Sequence, residues 1–109
     1  MSSDSNSDEI FKALANGTRR RLLDAMKDAP QTTGSLCEIF VEMDRCTVMQ
    51  HLKVLESAGL VIVVREGRER WNHLNALPIQ QIHDRWISQY ASHAMSVLGA
   101  LQSEFGDIR

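Results

Sequence analysis

The chain has 109 residues, with 12 Lys and Arg against 14 Asp and Glu and a formal net charge of −2. That length holds one ordinary domain able to fold without disulfide staples, and the near balance of charge excludes an indiscriminate polybasic coat for nucleic acid while allowing local positive patches. No apolar run approaches the roughly 20 residues that span a bilayer. The opening MSSDSNSDE has neither the basic end nor the apolar middle of a signal peptide, and the two cysteines, Cys37 and Cys46, suit a reducing cytoplasm better than a disulfide framework.

Residues 1–7 are rich in Ser, Asp and Asn and read as a disordered tail, leaving 8–109 as a single domain. Ile10, Phe11, Ala13 and Leu14 form an apolar patch at helical spacing. Asn16-Gly17-Thr18 breaks it and offers Asn16 as the N-cap of a second helix, which buries Leu22, Leu23 and Met26 and ends at Ala29-Pro30. Thr32 and Thr33 are N-cap candidates for a third helix from Gly34 to about Phe40, with Leu36, Ile39 and Phe40 as its apolar stripe. After a short turn, Asp44 caps a fourth helix running to about Ser57, with Val48, Leu52 and Leu55 on one side. Gly59 stands where a C′ glycine belongs.

The texture then changes. Leu60–Arg65 is β-branched and extended, Glu66-Gly67-Arg68-Glu69 is a turn, and Arg70–Leu74 alternates, with Trp71 and His73 on one face. Asn75 and Pro78 open a long last helix to about Phe105, roughly 40 Å at about 1.5 Å per residue. Ile79, Ile82, Trp86, Tyr90, Ala94, Val97, Leu98, Leu101 and Phe105 make a continuous stripe along it. The predicted fold class is mainly α with a small β-hairpin: a winged helix–turn–helix with a long C-terminal dimerisation helix.

At 100° per residue, Val48, Leu52 and Leu55 share the core side of the fourth helix. Cys46, Gln50, Lys53 and Ser57 point the other way, with Thr47 and Met49 on the flanks. That outer face is polar, small and nearly free of acids, and Arg45 adds positive potential to the helix N-terminus. Such a face fits a major groove, where Gln50 can pair bidentately with adenine and Thr47 can touch a thymine methyl. Lys53 is placed for a phosphate, His51 for a backbone or phosphate contact, and Arg65, Arg68 and Arg70 of the hairpin for the neighbouring phosphates. The partner expected from this face is double-stranded DNA. The alternative is a winged-helix protein-interaction module that does not bind specific DNA.

The run HLKVLESAGLVIVVREGRERWNHLN resembles the recognition-helix and wing signature of the arsenic-repressor (ArsR) family of bacterial transcription regulators, and IFKALANGTRRRLLDAM resembles that family's opening. Asn16-Gly17 stands where the family has Asp-Pro, which keeps a capping residue and loses the proline start. The resemblance covers about residues 10–75. It implies a homodimeric repressor on a palindromic operator, paired through the first and last helices. The candidate dimer contacts are Phe11, Ile82, Trp86, Tyr90, Val97, Leu98 and Leu101. An apolar stripe with only Asp84, Arg85 and Glu104 charged independently points to self-association.

The family's thiolate metal site uses a Cys-x-Cys pair in the third helix, where this chain has Ser35-Leu36-Cys37-Glu38-Ile39. Its last-helix site uses Asp-x-His, where this chain has His83-Asp84 and then His93. Neither set is complete, so no metal is expected. Cys46 lies in the first turn of the fourth helix, a setting that favours thiolate, and is the candidate redox residue. With no phosphate loop, nucleophile elbow or convergent metal dyad, neither catalysis nor a cofactor is expected. A small-molecule inducer has room between the last helices, but no residue pattern points to one.

Overall fold

A computed structural model describes residues 3–105. Its elements are α1 (Ser3–Leu14), α2 (Gly17–Ala25), β1 (Gln31–Thr32), α3 (Thr33–Ile39), α4 (Arg45–Ser57), β2 (Val61–Glu66), β3 (Glu69–Leu74), α5 (Leu77–Ile82), a π-helical turn (His83–Ile87) and α6 (Ser88–Phe105). They divide between Pro78 and Ile79 into two compact units, where length predicts a single domain. α1 starts at Ser3, so residues 3–7, read from composition as tail, are helical. Ser, Asp and Asn are poor helix-interior residues but favoured at a helix start, which is why composition misreads the first turn. Met1 and Ser2 lie outside the described residues.

In the first unit several helix ends have specific partners. Asn16 Oδ1 accepts the Arg19 N–H at 3.1 Å, Thr32 Oγ1 accepts Ser35 N–H at 3.0 Å, and Asp44 Oδ1 accepts Thr47 N–H at 2.8 Å. These are the three N-caps expected of such sequences. The carbonyls at the end of α1 are taken by arginines from α2: Arg19 Nε donates to Ala13 O (2.7 Å), Arg19 Nη2 to Lys12 O (3.0 Å) and Arg20 Nη1 to Leu14 O (2.6 Å). α2 stops at Ala25, short of the expected Ala29, and Gln31 Nε2 donates to the Ala25 carbonyl. At the end of α4, Gly59 N–H bonds Glu56 O and Leu60 N–H bonds Leu55 O, with Gly59 at φ +79°. This is a Schellman motif, and Leu55 and Leu60, both fully buried, supply its apolar contact.

The core of this unit is built by Leu22 and Leu23 of α2, Leu36 of α3, Val48, Leu52 and Leu55 of α4, and Leu60 and Val61 at the start of the hairpin. Each such side chain contributes about 1.5–3 kcal/mol on burial. Ile39, expected in the apolar stripe of α3, is instead exposed. Phe40 N–H closes the helix on Leu36 O, and Phe40 alone of the pair is buried. The sheet is antiparallel with order β1-β3-β2. β2 and β3 pair from Val61↔Leu74 to Glu66↔Glu69, leaving Gly67-Arg68 as a two-residue turn with Gly67 at φ +61°. A positive φ at the first central position only is the type II′ arrangement, which matches strand twist. Pairing of β1, Gln31↔Asn72 and Thr32↔Trp71, was not anticipated.

The second unit comprises the remainder of α5, the π turn and α6. The uninterrupted α-helix expected to Phe105 is broken at His83–Ile87, where Ser88 Oγ donates to Asp84 O at 3.0 Å. A hydroxyl inserted on the carbonyl one turn back is a known cause of such local distortion. Trp86 and Tyr90 form a tilted aromatic pair, with ring centroids 4.9 Å apart and planes inclined by 55°. Trp86, Tyr90, Val97, Leu98 and Leu101 are all exposed. Ile82 is the exception among the expected dimer contacts, being 4% exposed. No described helix is long and apolar enough to cross a membrane.

Candidate nucleic-acid interface

Burial of Val48, Leu52 and Leu55 fixes the rotation of α4, and the opposite side emerges as an exposed crest of Cys46, Gln50, Lys53 and Ser57. Arg45 and Met49 are also exposed, and Thr47 is half-buried beside its cap. Glu56 is the only acid in the helix, and it lies in the last turn. Within the helix the first turn holds Arg45 and no acid, while the Asp44 cap takes up the Thr47 N–H and offsets part of the positive end of the helix dipole. Hydrogen bonds from the Thr47 backbone and side chain hold the Asp44 carboxyl below the ordinary aspartate value, so the cap is ionised at neutral pH.

Two grooves flank the crest. One, of about 370 Å³, separates α4 from the hairpin and is lined by Cys46, Met49, Gln50, Lys53, Arg70 and Asn72 among others. The other, of about 570 Å³, faces α1 and α2 and is lined by Glu9, Lys12, Arg19, Gln50, Lys53 and Val54 among others. Gln50 and Lys53 border both, so they stand at the top of the ridge. An α-helix seated in a major groove about 12 Å wide has a phosphate strand on either side; here Lys53 and Arg70 line one side together with Glu56, and Lys12, Arg19 and Lys53 the other together with Glu9.

The wing carries its arginines as expected, but with different freedom. Arg68 is exposed in the tip turn. Arg65 and Arg70 are cross-strand partners on one face of the hairpin. Arg65 is exposed, whereas Arg70 is half-buried with Nη2 4.0 Å from Glu56 Oε1 on α4. Arg70 is thus already paired with an acid of α4. His51 also departs from expectation. It is half-buried, its Nδ1 lies 3.4 Å from Arg19 Nη1, and it is not on the crest. Arg is donor only, so Nδ1 accepts and the ring is neutral. Burial, then the Arg19 charge, lowers its pKa from the ordinary histidine value. His51 thus joins α4 to α2.

Cys46 is exposed on the crest, Cys37 is half-buried in α3, and both are free thiols. No three His, Cys, Asp or Glu side chains converge as a metal site among the described residues. Two features of the interface escaped the sequence reading. The α1–α2 side of the ridge, with Lys12 and Arg19, was signalled only by the run Arg19-Arg20-Arg21. The burial of Asn72 inside the wing had no local signal.

The helix-turn-helix domain family matches residues 14–64. YuzN of Bacillus subtilis, an uncharacterized HTH-type transcriptional regulator, is 36% identical over 90 residues, covering 75% of this chain and 96% of that one. The transcriptional repressor SdpR of the same organism is 31% identical over 71 residues, covering 65% of this chain and 78% of SdpR. The crystal structure of an ArsR family transcriptional regulator superposes with a TM-score of 0.74 at 27% identity, covering 85% of this chain and 94% of that one. The chain belongs to the ArsR family of helix–turn–helix transcriptional regulators. This ArsR-family protein is therefore a DNA-binding regulator of transcription, in a family that is not one of enzymes. The fold is also that of a homodimeric winged helix–turn–helix DNA-binding domain from Mycobacterium bovis, with a TM-score of 0.65 at 23% identity over 82% of this chain and 80% of that one.

Proposed function

We propose that this ArsR-family regulator is a cytoplasmic homodimeric repressor that reads a palindromic operator with α4. The observation that carries the DNA contact is the exposed, acid-free crest of α4, with Gln50 and Lys53 standing between two grooves. Gln50 reads an adenine edge, Thr47 and Met49 flank it with apolar contacts, and Arg45 and Lys53 contact the strand along the ridge. Arg68 and Arg65 hold the backbone through the wing. Arg70 serves chiefly to tie the wing to Glu56, and His51 to seat α4 on α2.

Dimerisation rests on the exposed apolar residues of the second unit, Trp86, Tyr90, Val97, Leu98 and Leu101, together with Phe11 of α1. A monomer rarely leaves such a stripe in water, and a twofold axis presents one patch to itself. Two α4 helices then fall about one turn of DNA, roughly 34 Å, apart. Repression, as in SdpR, follows if the operator overlaps a promoter.

Selection of bound sequences from random duplex DNA tests this. The expected product is a pair of inverted half-sites with centres about 10 base pairs apart. Enrichment of an unpaired half-site, or none, would overturn the dimeric reading or the DNA reading respectively.

A further inference from the structure

We infer that Asn72 is a positioning residue for DNA binding: its buried amide sets the angle at which the wing presents Arg68. The inference rests on the assignment of the wing to the DNA backbone. Asn72 lies mid-strand in β3 and is 1% exposed. Its Nδ2 donates to Gln31 O (3.1 Å), to Thr33 Oγ1 (3.1 Å) and more weakly to Arg70 O (3.5 Å). Gln31 belongs to β1, and Thr33, itself buried, is the first residue of α3. The first bond therefore ties the wing to β1, and the second ties it to the first helix of the helix–turn–helix.

The physical case is one of direction. Asparagine is disfavoured in strands, and its cross-strand partner here is Val63, so an aliphatic residue would suit the position by propensity and packing. Apolar contact is non-directional, however, whereas hydrogen bonds fix both distance and angle. Backbone pairing between β1 and β3 covers two residue pairs only, too short to hold the twist of a six-residue hairpin alone. The other ties are placed differently. Asn75 Nδ2 to Gly59 O, at 2.9 Å, closes the root of the hairpin on itself, and Arg70 to Glu56 is a loose, partly exposed ion pair on the α4 side.

The lever is long enough to matter. Arg68 is four residues beyond Asn72, about 13 Å at roughly 3.3 Å per residue. A swing of about 15° at Asn72 then carries the tip roughly 3 Å, from hydrogen-bond contact with a phosphate to none. The prediction is specific to the wing: loss of the Asn72 bonds removes the contribution of Arg68 while leaving the contacts of α4 in place.

The test is a set of four chains, wild type, Asn72→Leu, Arg68→Ala and the double variant, titrated against one mixed-sequence duplex over a series of salt concentrations. Circular dichroism confirms that each is folded. In the wild-type background, Arg68→Ala flattens the salt slope by about 0.9 and weakens binding about fivefold at 0.15 M salt. Asn72→Leu alone is expected to do the same, and adding Arg68→Ala to it to do nothing more. A merely structural role would lower the melting temperature, leave the slope intact and keep the two effects additive; that result overturns the inference. If Arg68→Ala is silent in the wild-type chain, the wing assignment fails and this proposal with it. Should Asn72→Leu not fold, Thr33→Val removes one of the two bonds from the α3 side and is read by the same comparison.

Discussion

Replacing Leu101 by alanine should weaken the dimer about 30-fold. Leu101 is 41% exposed in the single chain. Full burial of a leucine side chain stabilises by about 1.5–3 kcal/mol, so the part still facing water has about 1 kcal/mol left to contribute. A twofold interface counts every residue twice, giving about 2 kcal/mol per dimer and, at about 1.4 kcal/mol per decade, close to 30-fold in the dissociation constant. Met95 is the control. It is 69% exposed, more than Leu101, yet at 100° per residue it lies about 120° away from Leu101 around α6. Sedimentation equilibrium over a concentration series reads both variants. A Leu101→Ala dissociation constant equal to wild type, or a Met95→Ala change as large as that of Leu101→Ala, would refute the assignment of the interface to the Tyr90–Val97–Leu101 side of the helix.

Gln50→Ala should relax preference at one base step, costing about 1–3 kcal/mol against the selected operator and little against mixed-sequence DNA; equal losses on both would remove Gln50 from base reading. Gly59→Ala should destabilise by about 1–2 kcal/mol, because φ is +79° and an added Cβ meets no atom within 4 Å, so backbone strain alone acts. Thermal melting checks it, with Gly34→Ala, helical and unobstructed, expected to move the midpoint the opposite way. Stability should fall in two stages on acidification. His51 is held neutral in the fold, so below the ordinary histidine value of 6.5 the unfolded chain takes up the proton first and stability declines. Asp44, with its pKa lowered in the fold, contributes above the ordinary value of 3.8, and that contribution is lost as pH falls below it. Melting against pH should show the first stage vanish in His51→Gln. Peroxide should weaken operator binding by the wild-type chain and spare Cys46→Ser if the crest thiol is a redox switch; equal loss in both excludes it.

Most of the helix–turn–helix was legible because its boundaries are set by local chemistry. Asn16, Thr32 and Asp44 cap helices through bonds spanning three residues, and Gly59 and Gly67 supply the positive φ that two turns require. The spacing of Val48, Leu52 and Leu55 turns α4 without reference to anything distant, so the crest of Cys46, Gln50, Lys53 and Ser57 could be named from the sequence. Interactions between residues far apart in the chain had no such signature. Arg19 and Arg70 look like free surface cations in the sequence, yet one meets His51, 32 residues away along the chain, and the other Glu56. Asn72 looks like a polar strand residue and is buried because β1, 41 residues away along the chain, passes beside it. Short-range geometry thus wrote α4 and its exposed crest into the sequence, whereas the partners that decide which charges remain free are chosen by chain crossings that no local pattern records.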